Sequence, residues 1–330
     1  VRVLLTEGAG RVFGPRLLAD HPGIELVTMD REGVLSTGDG TPIDRTASGV
    51  EVAWATTDLY RQDRELVRPF FGLVRRCETL RWFQSAAAGY DAPIFAELIK
   101  KGVLFTKSDV HSIPIAEYVL RAALDHFQES QRWVAAQAQR QWEGHEFREL
   151  WGSTWVIVGF GSIGAEVAQR VRAFGARAVG VRRRPTGHEP ADEMVTPTEL
   201  LEVLPGADVV ALCAPANPTT EHLVDRRFLA AMKPSALLIN IGRGSVVDER
   251  ALVAALDAGE LAAAVLDVFE TEPLPPDSPL WSHPKVTVTP HDSANSNRRV
   301  LRQFELFTDN LGRFRRSEPL RNVVTADDLR

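Results

Sequence analysis

Trp155-Val156-Ile157-Val158, followed at once by Gly159-Phe160-Gly161-Ser162-Ile163-Gly164, is the stretch that decides how this chain is read. The four apolar residues read as a strand buried on both faces, and a helical pattern follows over Ile163–Phe174. Gly159 supplies the backbone angles of a tight turn, and Gly161 lets a pyrophosphate approach the main chain. Gly164 lets helix and strand pack closely. N–H groups exposed at the helix start then meet the phosphate charge. Gly159, Phe160, Gly161, Ser162, Ile163 and Gly164 are therefore read as cofactor-binding.

A lone glycine turn is weak evidence, and its surroundings carry the rest. Apolar runs continue at Ala178–Val181, Asp208–Cys213, Ala236–Ile241, Ala263–Val268 and Val286–Thr289, with helix-length segments such as Asp248–Ala258 between them. Six parallel strands opened by a glycine turn describe a doubly wound dinucleotide fold. Before it, shorter β-rich runs at Val1–Leu5, Ile24–Val27, Val50–Trp54, Leu80–Phe83 and Val103–Thr106 alternate with stretches such as Asp58–Phe71 and Pro93–Lys100. That is a second parallel α/β layout. One long helix is expected from about Ile115 to Trp142. A last one, from about Asn295 to Arg315, is placed back on the first domain.

Length and composition agree with two domains. The 330 residues are 44% hydrophobic and 25% charged, enough apolar material for two cores. The formal net charge of −6 gives no basic field for nucleic acid or anionic lipid. Cys77 and Cys213 are the only cysteines, so no disulfide framework or cysteine-based zinc site is expected. No apolar run approaches a membrane span and no charged-then-apolar leader is read at Val1, so a cytoplasmic protein without a metal is expected.

Charged residues then gather at strand ends. In an open α/β sheet ligands bind outside the carboxyl ends of strands, and Asn240-Ile241-Gly242-Arg243-Gly244 ends one such strand. The planar fork of Arg243 suits a carboxylate, with flanking glycines leaving room for a ligand. Leu266-Asp267-Val268-Phe269-Glu270-Thr271-Glu272-Pro273 and Thr289-Pro290-His291 close the next two strands. Where the second strand of such a fold usually carries a ribose-binding acid, Arg182 stands instead, within Val181-Arg182-Arg183-Arg184-Pro185. Arg182 and Arg183 are read as ligands of a 2′-phosphate, which favours NADP over NAD. A solvated basic loop is the bland alternative.

Taken together, these motifs resemble the NAD(P)-dependent D-2-hydroxyacid dehydrogenase family, whose members include phosphoglycerate, glyoxylate/hydroxypyruvate and D-lactate dehydrogenases. The resemblance rests also on Ala87-Ala88-Gly89-Tyr90-Asp91 and Ile115-Ala116-Glu117. It implies a Rossmann domain over 109–290 inserted in a flavodoxin-like substrate-binding lid made of 1–108 and 291–330. It also implies hydride transfer between NAD(P)H and a small 2-keto or 2-hydroxy acid. Arg243, Glu272 and His291 would be catalytic: Arg243 binds the carboxylate and keto oxygen, His291 is the general acid or base, and Glu272 orients it and favours its imidazolium form. Ala88 and Gly89 would bind substrate through backbone N–H groups, beside Arg243 and His291. Asp267 would lie on the nicotinamide side, and Pro215 would add a cofactor contact.

Glu270 rivals Glu272, though the Glu-Pro dipeptide and the 29-residue spacing from Arg243 favour the latter. The chain departs from the family at Asp292-Ser293-Ala294-Asn295-Ser296, where Asp292 or Ser293 is expected to cap the final helix or to alter the pocket. Leu59 and Tyr60 either line the lid or merely pack at a helix start. Trp133 and Trp142 are read as core or, by the resemblance, as part of a homodimer interface. The competing function is a dinucleotide-sensing, corepressor-like interaction protein on the same fold.

Overall fold

The computed structural model describes residues 1–44, 48–61, 64–90 and 92–329. Asp91 of the alanine-glycine motif, and Gln62 and Asp63 of the helix expected over Asp58–Phe71, lie outside the described residues. Fifteen strands occur among those described. They are β1 (Arg2–Thr6), β2 (Glu25–Met29), β3 (Leu35–Thr37), β4 (Pro42–Ile43), β5 (Val52–Ala55), β6 (Trp82–Ser85), β7 (Leu104–Thr106) and β8 (Thr154–Val158), then β9 (Arg177–Val181), β10 (Glu193–Val195), β11 (Val209–Leu212), β12 (Leu237–Asn240), β13 (Ala263–Leu266), β14 (Val286–Val288) and β15 (Val323–Val324).

Two compact units share them: Val1–Val110 with Ser296–Arg330, and His111–Asn295. The division falls after Asn295, so His291 stays with the second unit instead of opening the returning segment. In the first unit the sheet order is β15-β7-β6-β5-β1-β2-β3-β4. Its parallel strands β2-β1-β5-β6-β7 follow the flavodoxin-like 2-1-3-4-5 order, and β3, β4 and β15 add antiparallel edges. The helix Arg299–Arg315 covers one face because Phe304, Phe307, Leu311 and Phe314 form a single apolar stripe. Phe307 stacks at 4.2 Å on Trp54 and 5.2 Å on Trp82, both fully buried.

The second unit orders its strands β10-β9-β8-β11-β12-β13-β14, all parallel. This is the doubly wound 3-2-1-4-5-6 order with a seventh strand added. Alternate residues of β8 serve opposite cores: Val156 and Val158 face one cluster, Trp155 and Ile157 the other. Burial on both faces is why such strands read as unbroken apolar runs.

Several expectations change. The six strands expected here are seven, because β10 is only three residues long and mixed in character. The single helix expected from Ile115 to Trp142 is two, Ser112–Phe127 and Ser130–Ala138, broken where Glu129 adopts φ 48°. Trp133 and Trp142 are not core residues: Trp133 lies on the surface against His145 and Phe147, and Trp142 is fully exposed. Leu59 is buried, and the Tyr60 hydroxyl lies 3.2 Å from Ser85 Oγ, so both pack at a helix start. The final helix begins at Arg299, beyond reach of a cap from Asp292 or Ser293.

Candidate active site

The glycine turn is built as its spacing demands. Gly159 adopts φ +90°, and a Cβ there would meet the Ala214 backbone at 2.5 Å. A Cβ on Gly164 would come within 3.0 Å of the Gly159 carbonyl and 3.1 Å of Ile157, so helix and strand touch through it. At Gly161 a Cβ would meet nothing within 4 Å, which leaves the start of the helix Ser162–Ala173 open on that side. An open helix start of this length, reached from a glycine turn, fits a dinucleotide pyrophosphate. Phe160 offers only its backbone there, because its ring is buried against Gly180. Ile163 is partly buried against the core, and Pro215, just past β11, is exposed.

At the end of β9 the arginine loop is not a plain basic stretch. The nearest acid to Arg182 in the sequence is seven residues on, and the fold brings it back: Glu189 Oε1 lies 2.9 Å from Arg182 Nη1. Arg183 and Arg184 are exposed beside it.

Three strand ends carry the reactive groups. After β12, Asn240 fixes the next turn by accepting from Gly242 N–H and donating from Nδ2 to the Arg243 carbonyl, at 3.1 and 3.0 Å. The glycines flanking Arg243 do not leave room for a ligand, as the sequence suggested. A Cβ on Gly242 would lie 2.5 Å from the Ala214 carbonyl oxygen, and one on Gly244 would lie 1.8 Å from the Phe269 carbonyl carbon. Both are needed for close backbone packing, and Gly244 presses the Arg243 loop directly onto the segment that leads to Glu272.

After β13, Glu272 is held at both ends. Its Oε1 accepts from Phe269 N–H at 3.1 Å and its Oε2 lies 2.8 Å from His291 Nδ1. A carboxylate only accepts, so Nδ1 carries the proton in this bond and Nε2 is the nitrogen turned to other chemistry. Both side chains keep substantial exposure, 37% for Glu272 and 51% for His291. Glu270, the rival acid, is engaged elsewhere. Its Oε1 accepts from Glu249 N–H, Glu249 Oε1 accepts from Glu270 N–H, and His222 Nε2 lies 3.4 Å away. Burial, with the neighbouring Glu270 charge, raises the Glu249 carboxyl above its ordinary value.

His291 sits at φ 52°, an uncommon backbone conformation for a residue with a side chain. What holds it there is Asp267. This carboxylate is fully buried and accepts from the Thr289 hydroxyl at 2.5 Å, from Asp292 N–H at 2.9 Å and from Ser293 N–H at 3.0 Å. Tyr118 OH lies 2.7 Å from the same Thr289 oxygen, and burial pushes its phenol up. Asp292 and Ser293 thus serve this carboxylate through their backbones rather than capping a helix.

In the first unit, the loop after β6 is fixed by Ala87 N–H donating to Ser85 Oγ and by Ser108 N–H donating to the Ala87 carbonyl, each at 3.0 Å. Ala88 and Gly89 come next in that loop, half-buried. Sequence reasoning missed Glu189, Thr289 and Tyr118. Only the acid seven residues beyond Arg182 offered any signal.

A seven-stranded parallel sheet with this turn, and an acid-paired histidine at the carboxyl end of its edge strand, now stand beside the comparisons. A family profile described as D-isomer specific 2-hydroxyacid dehydrogenase, NAD binding domain, matches residues 119–293. The chain belongs to that family. A glyoxylate reductase of Korarchaeum cryptofilum is 35% identical over 261 residues, 75% of this chain and 77% of that one. A D-3-phosphoglycerate dehydrogenase of Methanocaldococcus jannaschii is 30% identical over 78% of this chain, which spans only half of that longer protein. The solved D-isomer specific 2-hydroxyacid dehydrogenase of Xanthobacter autotrophicus, in complex with NADPH and MES, superposes with a TM-score of 0.76. It is 28% identical and covers 98% of this chain, with 97% of its own length matched. Family membership makes the chain an NAD(P)-dependent oxidoreductase, and the corepressor-like reading gains no support from these relatives. Among the described residues, no helix is long and apolar enough to cross a membrane.

Proposed function

We infer that this protein reduces a small 2-keto acid of the glyoxylate and hydroxypyruvate class to the D-2-hydroxy acid, with NADPH favoured over NADH. The observation that carries the reading is the 2.8 Å contact between His291 Nδ1 and Glu272 Oε2 at the end of the edge strand. With Nδ1 committed to Glu272, Nε2 of the imidazolium donates a proton to the keto oxygen, and in reverse it withdraws the proton of the hydroxyl. Glu272 stabilises the charged ring and fixes its orientation. Arg243 pairs with the substrate carboxylate and polarises the keto group.

The cofactor is assigned to the turn Gly159–Gly164, with Phe160 acting through its backbone and Ser162 and Ile163 at the helix start. Pro215 borders it, and Arg182 and Arg183 take a 2′-phosphate. The bound nicotinamide supplies the hydride. Asp267 acts on the same side by holding the 289–293 segment from beneath.

The surface aromatics Trp133 and Trp142 favour a homodimer, and two cysteines without a disulfide framework fit the cytoplasm. The test is a substrate panel of glyoxylate, hydroxypyruvate, pyruvate and phenylpyruvate, monitored by the absorbance of reduced nicotinamide with NADPH and with NADH. Turnover with glyoxylate or hydroxypyruvate is expected. Tight nucleotide binding without turnover of any of the four would return the sensor reading.

A further inference from the structure

Arg182 is not an open cation awaiting a phosphate. Its Nη1 meets Glu189 Oε1 at 2.9 Å, and the same carboxylate accepts from Thr186 N–H at 2.7 Å and from Gly187 N–H at 2.9 Å. Two backbone N–H groups and a guanidinium converging on one anion form the kind of cradle in which proteins hold phosphate. Here the chain's own acid fills it. The Glu189 side chain is only 4% exposed, while Arg182 keeps 37%. Its backbone hydrogen bonds, that from Thr186 foremost, hold the Glu189 carboxyl down at about 2, so it is charged at any working pH.

We propose that Glu189 is a specificity-determining residue: an internal anion that occupies the Arg182 cradle and restrains the preference for a 2′-phosphorylated cofactor. Its negative charge offsets that of Arg182 at the end of β9, where a ribose 2′-substituent is read in this fold. A 2′-phosphate must share the guanidinium with Glu189 and bear repulsion from it. A 2′-hydroxyl bears no such repulsion. The cradle therefore narrows the gap between the two cofactors that Arg182 would otherwise open. This inference rests on Arg182 facing the 2′-position, as in the proposed cofactor site.

The test compares the ratio of kcat/KM for NADPH to that for NADH in the unmodified protein, Glu189→Gln, Arg182→Gln and the double variant. Glutamine keeps one accepting oxygen for Thr186 N–H and Arg182 Nη1, and it removes the charge together with the Oε2 acceptor that Gly187 N–H uses in the parent. Glu189→Gln should raise the ratio about tenfold, the worth of one charge-assisted contact, with NADH kinetics kept within about twofold. In the Arg182→Gln background the same change should have no effect on the ratio. Binding of adenosine 2′,5′-bisphosphate, measured against AMP, should tighten in parallel. An unchanged or lowered ratio in Glu189→Gln, together with a lowered ratio in Arg182→Gln, overturns the proposal and leaves the NADPH assignment standing. Loss of activity with both cofactors in Glu189→Gln makes the residue structural and also overturns it. If Arg182→Gln leaves the ratio unchanged, the assignment of Arg182 fails as well.

Discussion

The carboxyl edges of the two sheets are made of different materials. In the first unit, hydroxyls and one carboxylate satisfy one another: Thr6 and Thr56 both donate to Asp58, and Tyr60 meets Ser85. Beyond β6 come Ala87, Ala88 and Gly89, a loop with little but backbone to offer. In the second unit, three neighbouring strands end in Arg243, Glu272 and His291, and the residues beneath them are spent on holding those three in place. The contrast teaches where reaction chemistry is sited. In the proposed reaction, the groups that titrate or carry charge stand on the all-parallel sheet, at the ends of the paired strands β12, β13 and β14. The other edge is suited to recognition through the main chain.

The most severe way to test that division is to remove the proton donor. His291→Ala should lower kcat by ~10²–10⁴ with NADPH binding retained, as read by fluorescence titration. A variant keeping most of its turnover would move the chemistry off this edge. Arg243→Lys, which keeps the charge and loses the fork, should lower kcat/KM for the keto acid by at least about tenfold.

Next in size is the backbone contact that joins two of these loops. Gly244→Ala places a methyl on the Phe269–Glu270 peptide, and overpacking of this kind costs about 1–3 kcal/mol or more. The urea midpoint of the second unit should fall, and a variant as stable as the parent would mean that the two loops part easily.

A smaller effect is expected at Asp267. Asp267→Asn keeps the shape and weakens three bonds to the 289–293 segment, so kcat should fall about tenfold while KM for the cofactor changes little.

The smallest concerns a histidine on neither edge. Burial first, and then the Arg148 charge, lower the pKa of His126 from its usual value of 6.5. A folded-state pKa below the unfolded one means that the unfolded chain binds more protons in the window just below 6.5. Stability from this group is present above 6.5 and is lost as the pH falls through that window. His126→Gln should flatten the decline in unfolding free energy between neutral pH and about pH 5.5, without touching kcat.

The legibility of the sequence follows burial and strand length instead. Strands buried on both faces, such as Trp155–Val158 and Leu237–Asn240, announce themselves because each residue must be apolar. The glycine turn is legible because every glycine answers a separate steric demand. β10 and the antiparallel edges β3, β4 and β15 are too short for any periodicity. The break at Glu129 has no glycine or proline to mark it, and the carbonyls of Phe127 and Gln128 there meet Arg148 N–H and His145 Nε2, partners that only the folded chain supplies. At the site, residue types at strand ends pointed to Arg243, Glu272 and His291, the Glu-Pro dipeptide favoured Glu272 over Glu270, and the fold bonds Glu270 to Glu249 instead. The cradle around Glu189 was illegible because its partners meet only once the loop has folded back.

The carboxylate of Asp267 grips residues 292 and 293 by their amide hydrogens alone. Such a grip is indifferent to what the side chains are, provided neither is proline. The first two residues of Asp292–Ser296 are therefore tied to the sheet by grammar, the main chain, rather than by vocabulary, the side chains. For anyone diversifying the protein, a library varied at positions 292 and 293 would keep these two main-chain bonds while it samples new surroundings for His291.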